Sequence, residues 1–374
     1  MRDRTSATQP FMPYTRTFYL ILACVVFASA LSAEAATINA TWNTATDVPV
    51  TASSYTATGN TVNFTLNFAP ATGTNLTVVN NTGLPFISGT FDNLAQGQSV
   101  MLSYGGVTYQ YVAHYYGGTG NDLVLVWAVN RAFAWGINNT GEVGDGTTTS
   151  RSLPTPVSTA GVLAGKTVIA VSAGADHSLA LCSDGTLAAW GSNTYGQLGN
   201  NSTTSSLVPV AVNTSSGVSS LYGKTVVAVE AGTIFSLALC SDGTVAAWGN
   251  NLFGQLGDYT AMDRHAPVSV NTANGASALY GKSVVAIAAG QYHSLALCSD
   301  GTVVDWGYDN EIKFVPVAVN TASGVSALYG KSVVAVAAGG LTISHYVRMG
   351  PWQPGEKTTA VSLGTTLQRY KLCP

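Results

Sequence analysis

The dipeptide Trp-Gly stands at residues 135, 190, 248 and 306, spaced 55, 58 and 58, and Gly-Lys keeps nearly the same rhythm at 165, 223, 281 and 330. Self-similarity at such a period means that the chain is built from copies of one small supersecondary unit. No copy can bury both of its apolar faces alone, so neighbours must stack. The best-preserved copy reads VVAIAAGQYHSLALCSDGTV over residues 284–303 and runs on to Trp306-Gly307. Within it, residues 284–288, 294–297 and 302–306 read as short strands, with Ser299-Asp300-Gly301 as a tight hairpin turn. No helical period appears. Four strands per ~50 residues predict propeller blades, so residues 131–340 are expected to form an incomplete all-β propeller of about four units.

Composition narrows the alternatives. Charged residues make up 9% of the chain, against roughly 25% in an ordinary soluble domain, which excludes a helical bundle or a coiled coil. Between residues 36 and 340 there are 8 basic and 15 acidic side chains, a net of −7. No basic face remains to neutralise phosphates, so nucleic acid is not an expected partner.

The chain opens with arginines and an apolar run at residues 18–31, FYLILACVVFASAL, followed by Ala33-Glu34-Ala35. This pattern predicts a secretory signal peptide over residues 1–35, cut before Ala36. The run is shorter than the ~20 residues a membrane-spanning helix needs, and Cys24 lies too early in it for a lipoprotein site. The mature chain is therefore expected to be secreted, periplasmic or at the cell surface, without a membrane span.

Residues 36–130 read as a small β-rich module. Val62, Phe64, Leu66 and Phe68 alternate with Asn63, Thr65 and Asn67, the period-2 pattern of a half-buried strand. Further strands are expected at 76–79, 86–91, 100–104, 107–111 and 123–127, with Gly105-Gly106 as a hairpin turn. The stretch from Gly117 to Asp122 is similar to one unit of the calcium-binding nonapeptide repeats. One copy cannot complete the coordination shell that stacked turns supply, so it is read as a plain turn and no metal is expected. In composition the module looks like the β-rich passenger segments of bacterial surface proteins and autotransporters.

Within the array, A-A-G-x-x-H-S-L-A-L is followed by D-G-x-V-x-x-W-G and then G-Q-L-G. The last motif stands at 196–199 and 254–257, with Gly141-Glu142-Val143-Gly144 as a variant. These motifs resemble the repeats of the regulator of chromosome condensation family, over about 210 of 374 residues. The resemblance implies a propeller whose complete form has seven blades, with glycines allowing close approach and positive φ, and tryptophans filling the gaps between blades. The founding member promotes guanine nucleotide exchange on a small GTPase in the nucleus. None of its functional residues can be matched here, and an exported chain would not meet that GTPase. A secreted bacterial relative that inhibits β-lactamases is the nearer precedent by compartment.

Polar residues that recur have ordinary readings. His177 and His293 are equivalent, but Phe235 and Thr342 hold the same position in other units, which argues for structural, hydrogen-bonded histidines over a metal ring. Cys182, Cys240 and Cys298 recur once per repeat. Equivalent positions in adjacent blades usually exceed the ~7 Å limit for bridging, so buried free thiols are expected over a disulfide framework. Lys166, Lys224, Lys282 and Lys331 are expected to be solvated, and Asp184, Asp242 and Asp300 to serve D-G turns. No catalytic constellation or cofactor motif appears.

The function expected is therefore a non-enzymatic interaction scaffold for a protein or glycan partner. The candidate anchors are loop aromatics: Tyr195 and Phe253, five residues after the tryptophan, and Tyr222, Tyr280 and Tyr329, which precede Gly-Lys. The competing reading is that these rings pack between blades. The alternative function is a secreted polysaccharide-acting enzyme, which would need two carboxylates across a cleft, drawn from Asp258, Asp263, Asp305, Asp309 and Glu311.

The pattern breaks near its end. Trp306 to Pro316 spans 10 residues where Trp190 to Pro209 and Trp248 to Pro267 span 19. After Gly339-Gly340 the repeat disappears. Back-translated and read one base upstream, Arg348 to Glu356 permits Ala-Asp-Gly-Thr-Val-Ala-Ala-Trp-Gly, and Ala360 to Thr365 permits Gly-Gln-Leu-Gly-Asp. Residues 341–374 are thus expected to be an aberrant tail, an out-of-frame reading of a further repeat, and the array is expected to keep open, unpaired strand edges.

Overall fold

The computed structural model describes residues 35–128, 132–323, 326, 328–330, 332–339, 343–348 and 359–363. The leader lies outside these residues, as do Lys331 and most of the tail. From Ala36 onward the chain forms one compact unit.

The first module contains β1 (Thr37–Trp42), β2 (Val50–Ala52), β3 (Thr61–Leu66), β4 (Leu76–Asn81), β5 (Ser99–Tyr104), β6 (Val107–Gly117) and β7 (Asp122–Trp127). Two pairs are parallel, β1 with β3 and β2 with β4, so successive coils of chain stack on one another. Like residues fall in register: Asn63 Nδ2 donates to Asn39 Oδ1 at 3.2 Å and Asn67 Nδ2 to Asn43 Oδ1 at 2.9 Å. Trp42 stacks on Phe64 with ring centroids 5.9 Å apart. The remaining strands form a sheet in the order β2-β4-β7-β6-β5. Gly105 and Gly106 both have positive φ, 58° and 80°, as a two-residue hairpin turn requires. Residues 86–91, expected as a strand, contribute only isolated bridges at Ser88 and Phe91, and β1 and β2 were not foreseen. The stretch after β6 is a turn: the Asp122 carboxylate accepts from the backbone N–H groups of Asn81, at 2.8 Å, and Thr119, at 3.0 Å.

The array begins with a two-stranded sheet, β8 (Phe133–Gly136) and β9 (Arg151–Pro156). Three four-stranded antiparallel meanders follow. The first is β10 (Val168–Ala173), β11 (His177–Cys182), β12 (Leu187–Gly191) and β13 (Ser206–Ala211). The second is β14 (Val226–Ala231), β15 (Phe235–Cys240), β16 (Val245–Gly249) and β17 (Arg264–Ser269). The third is β18 (Val284–Ala289), β19 (His293–Cys298), β20 (Val303–Tyr308) and β21 (Ile312–Ala318). The backbone of β22 (Ser332–Ala338), β23 (Ile343–Arg348) and β24 (Thr359–Leu363) forms a three-stranded sheet. This is a partial β-propeller. Among the described residues no helix is long and apolar enough to cross a membrane.

Every residue of β15, β16 and β19 is buried. These middle strands carry no hydrophobic alternation because a neighbouring sheet covers each face. Leu237 and Leu239 share one core with Val284, Ile287 and Trp306, whereas Ala238, Cys240 and Trp248 share another with Leu179, Leu181 and Leu187. Outer strands such as β13 are largely exposed.

The joint between sheets is the G-Q-L-G loop. Its leucines, Leu198 and Leu256, are fully buried. Gly199 has φ +65°, and a Cβ there would stand 2.7 Å from Nε1 of Trp248; at Gly257 (φ +63°) the nearest Trp306 atom would be 2.8 Å away. Glycine is thus required both by backbone conformation and by contact with the next indole.

Candidate interaction rims

The meander places its connections on two opposite rims. One rim carries the turns between first and second strands together with the long loops between third and fourth strands, tied by Ser192 N donating to Asp176 O at 2.7 Å. The other carries the D-G turns and the links to the next sheet, tied by Ser183 N donating to Thr167 O at 2.9 Å. The five aromatic candidates therefore separate: Tyr195 and Phe253 lie on the first rim, Tyr222, Tyr280 and Tyr329 on the second.

On the first rim, Phe253 is half-buried, its ring 5.1 Å from that of Tyr292 and 5.5 Å from that of Tyr308. Its role there is packing. Tyr195 is more open, though its backbone N–H is held by Gln197 Oε1 at 3.0 Å. The loop is braced by asparagines that the sequence reading passed over. Buried Asn193 Nδ2 donates to Ser202 O and Thr204 O at 2.9 and 3.1 Å, while its Oδ1 accepts from Leu198 N at 2.9 Å. Asn138 and Asn251 repeat the arrangement. Their recurrence three residues after Trp135, Trp190 and Trp248 was the available signal.

On the second rim, Tyr222, Tyr280 and Tyr329 are 62%, 56% and 60% exposed. Each projects beside a Gly-Lys step. Lys166, Lys224 and Lys282 are not simply solvated, as expected from sequence; each of the three pairs with the D-G aspartate of its own sheet. Lys166 bonds Asp184, Lys224 bonds Asp242 at 2.9 Å, and Lys282 bonds Asp300. The turn aspartate also accepts from the backbone N–H two residues on, as Asp242 Oδ1 does from Thr244 at 3.0 Å. A groove of about 440 Å³ lies between the first D-G turn and the next Tyr-Gly-Lys step, lined by Asp184, Thr186, Thr214, Tyr222 and Lys224 among others. The first module approaches this rim: Leu84 joins the core of Val285, Leu297 and Leu328.

Both histidines are buried. His177 Nε2 meets Ser236 Oγ of the next sheet at 2.9 Å, and burial depresses its pKa to about 4. Among the described residues, neither ring nitrogen of His293 has a hydrogen-bond partner. In the register of β22 and β23, Ile343 falls where Ser236 and Ser294 fall, opposite the last residue of the preceding strand. Cys182, Cys240 and Cys298 are buried free thiols, each raised to about 11 by burial.

Four of the five carboxylates considered for hydrolysis are engaged elsewhere. Asp258 holds Arg264 at 2.7 Å, and Asp263 accepts from Asn251 N at 2.8 Å. Asp305 and Asp309 come together, but on one cation: Lys313 Nζ lies 2.7 Å from Asp305 and 3.0 Å from Asp309. Burial pushes Asp305 up to about 6. Among the described residues, no group of three or more His, Cys, Asp or Glu side chains is arranged to hold a metal ion.

Residues 130–181, 184–239 and 242–297 match the Regulator of chromosome condensation (RCC1) repeat, and a second description of that repeat matches 168–197, 226–255 and 284–311. The chain thus carries RCC1 repeats. It is 33% identical over 181 residues to the E3 ubiquitin-protein ligase HERC2 of Mus musculus, covering 48% of this chain and 3% of that protein. It is 32% identical over 176 residues to the Ultraviolet-B receptor UVR8 of Arabidopsis thaliana, covering 47% and 37%. Among solved structures, human WBSCR16 is 24% identical with a TM-score of 0.47, covering 65% of this chain and 56% of that one. The chain thus spans only a small part of HERC2 and about a third of UVR8, and the ligase similarity is confined to the repeats.

Proposed function

We propose that this chain is a non-enzymatic protein-interaction scaffold whose contact surface is the rim carrying Tyr222, Tyr280 and Tyr329. One observation carries the reading. The recurring tryptophans 190, 248 and 306 are buried in the joints between sheets, whereas these three recurring tyrosines stand at equivalent positions in solvent. A rigid phenol supplies large amphipathic contact area at low entropic cost, and adjacent Lys–Asp pairs supply donors and acceptors without net charge. A protein or glycan surface rich in hydrogen-bonding groups fits this rim. Export through the N-terminal leader belongs to the same proposal, with the mature protein beginning at Ala36 outside the cytoplasm. Polysaccharide cleavage lies outside it, since four of the five carboxylates considered are already engaged.

The test is a pull-down from the extracellular milieu, comparing the natural protein with the Tyr222→Ala/Tyr280→Ala/Tyr329→Ala variant. Loss of captured partner at an unchanged melting temperature supports the rim. A melting temperature lowered by several degrees assigns the rings to packing, and equal capture by both proteins overturns the proposal. The amino terminus of the secreted protein, read by mass spectrometry, tests export separately.

A further inference from the structure

The sheet β8–β9 is half of a blade. In each complete sheet the second strand lies beside the third, with Ser178 opposite Trp190, Ser236 opposite Trp248 and Ser294 opposite Trp306. β8 is a third strand by motif, since Phe133-Ala134-Trp135-Gly136 aligns with Ala188-Ala189-Trp190-Gly191. Among the described residues it pairs only with β9. The strand before it in the chain, β7, is already bonded on both edges by β4 and β6. Trp135 is consequently 62% exposed, where its three counterparts are at most 2% exposed. Phe133, Ile137 and Val171 are exposed with it around an open cavity of about 480 Å³. An apolar face beside an unpaired strand edge is an unfinished interface.

The three complete sheets show what covers such a face: a first-and-second-strand pair of this same repeat. The backbone of β22–β23 pairs in the same way, although from residue 341 onward the chain has left the repeat sequence. Its register slips between Val333 and Ala335, as β14–β15 slips between Val226 and Ala228 and β18–β19 between Val284 and Ala286. Within its own chain, three full sheets separate it from β8, so it can reach β8 only in another molecule.

We propose that β8 is a docking edge for a second copy of this chain, whose β22–β23 pair completes the sheet as β22-β23-β8-β9. The register of the complete sheets then sets Trp135 opposite Ile343 of the second copy. β24 occupies that edge of β23, so docking displaces residues 359–363. The contact joins unlike surfaces, head to tail, and two copies satisfying both ends enclose a two-fold ring.

Light scattering after size exclusion, at tens of micromolar, tests this on the full chain. The natural protein is expected at twice the chain mass. Phe133→Asp/Trp135→Asp is expected at one chain mass with unchanged far-ultraviolet circular dichroism, because both side chains are exposed in the single copy. Val361→Pro, which weakens β24, is expected to shift the association midpoint about tenfold lower. Amides of β8 should be protected from hydrogen exchange only at concentrations where the dimer forms. A natural protein that stays at one chain mass throughout that range overturns the proposal. So does a dimer that survives the double substitution, or association weakened by Val361→Pro.

Discussion

Trp248 donates its indole N–H to the main-chain carbonyl of Gln197, 2.9 Å away and 51 residues earlier in the chain. The Ser236 hydroxyl donates to the same carbonyl at 2.9 Å while bonding His177 on its other side. Trp190 and Ser178 grip Glu142 O, and Trp306 and Ser294 grip Gln255 O, in the same way. Each sheet is therefore latched to a loop of the preceding one by two convergent donors inside an apolar joint.

Breaking the latch should destabilise the whole array. Ser236→Ala removes one donor to Gln197 O and leaves His177 Nε2 without a partner in a dry site, a loss of about 1–3 kcal/mol. Trp248→Ala also opens a cavity and should cost about 3–5 kcal/mol. Urea unfolding measures both, and a Ser236→Ala midpoint equal to that of the natural protein would show the hydroxyl to be dispensable.

The glycines of the joint should separate from those of the rim. Gly199 and Gly223 share similar positive φ, +65° and +71°, but a Cβ meets the Trp248 ring at the first and nothing within 4 Å at the second. Gly223→Ala is expected to cost only the left-handed backbone strain of roughly 1–2 kcal/mol. Gly199→Ala adds a clash with a buried indole and should lower the melting temperature at least twice as far.

Acid should weaken the fold before its carboxylates titrate. Burial lowers His177 and His114 to about 4, against about 6.5 in an unfolded chain. Between these values the unfolded state binds more protons, so stability is fully present above pH ~6.5 and falls as pH drops toward 4, by up to about 1.4 kcal/mol per unit for each histidine. His177→Phe, which copies Phe235 of the next sheet, should flatten that slope in unfolding experiments run across the window.

The Lys313 cluster should respond asymmetrically. Asp305→Ala restores the residue found at Ala189 and Ala247 and leaves Lys313 paired with Asp309, so its cost should be small. Lys313→Met strands the buried Asp305 carboxylate beside the half-buried Asp309 and should cost about 3 kcal/mol. With its folded pKa raised above the unfolded value, Asp305 takes up protons preferentially in the native state of that variant. The Lys313→Met deficit should therefore shrink as pH falls from 7 to 5. A deficit independent of pH would remove the carboxylates from the explanation.

The repeat period, the D-G turns and the free cysteines were legible from sequence because each depends on a pattern that recurs. A turn needs its glycine locally, and a period of 58 residues shows which residues share one environment. The parallel stacking of β1 on β3 left no such mark, since Thr37 and Thr61 pair only after the coil between them has closed. Nor could composition distinguish Trp135 from Trp248. Both stand in the same Trp-Gly motif, yet one is in solvent and the other is sealed, because burial depends on whether a second strand and a preceding loop arrive at that edge. Lys224 likewise meets Asp242 only once the hairpin between them is packed. Sequence determined the blade; tertiary structure decided how each blade latches to the loop before it, which tyrosines face outward, which charges neutralise one another and which blade remains unfinished, because those depend on neighbours brought in from distant parts of the chain.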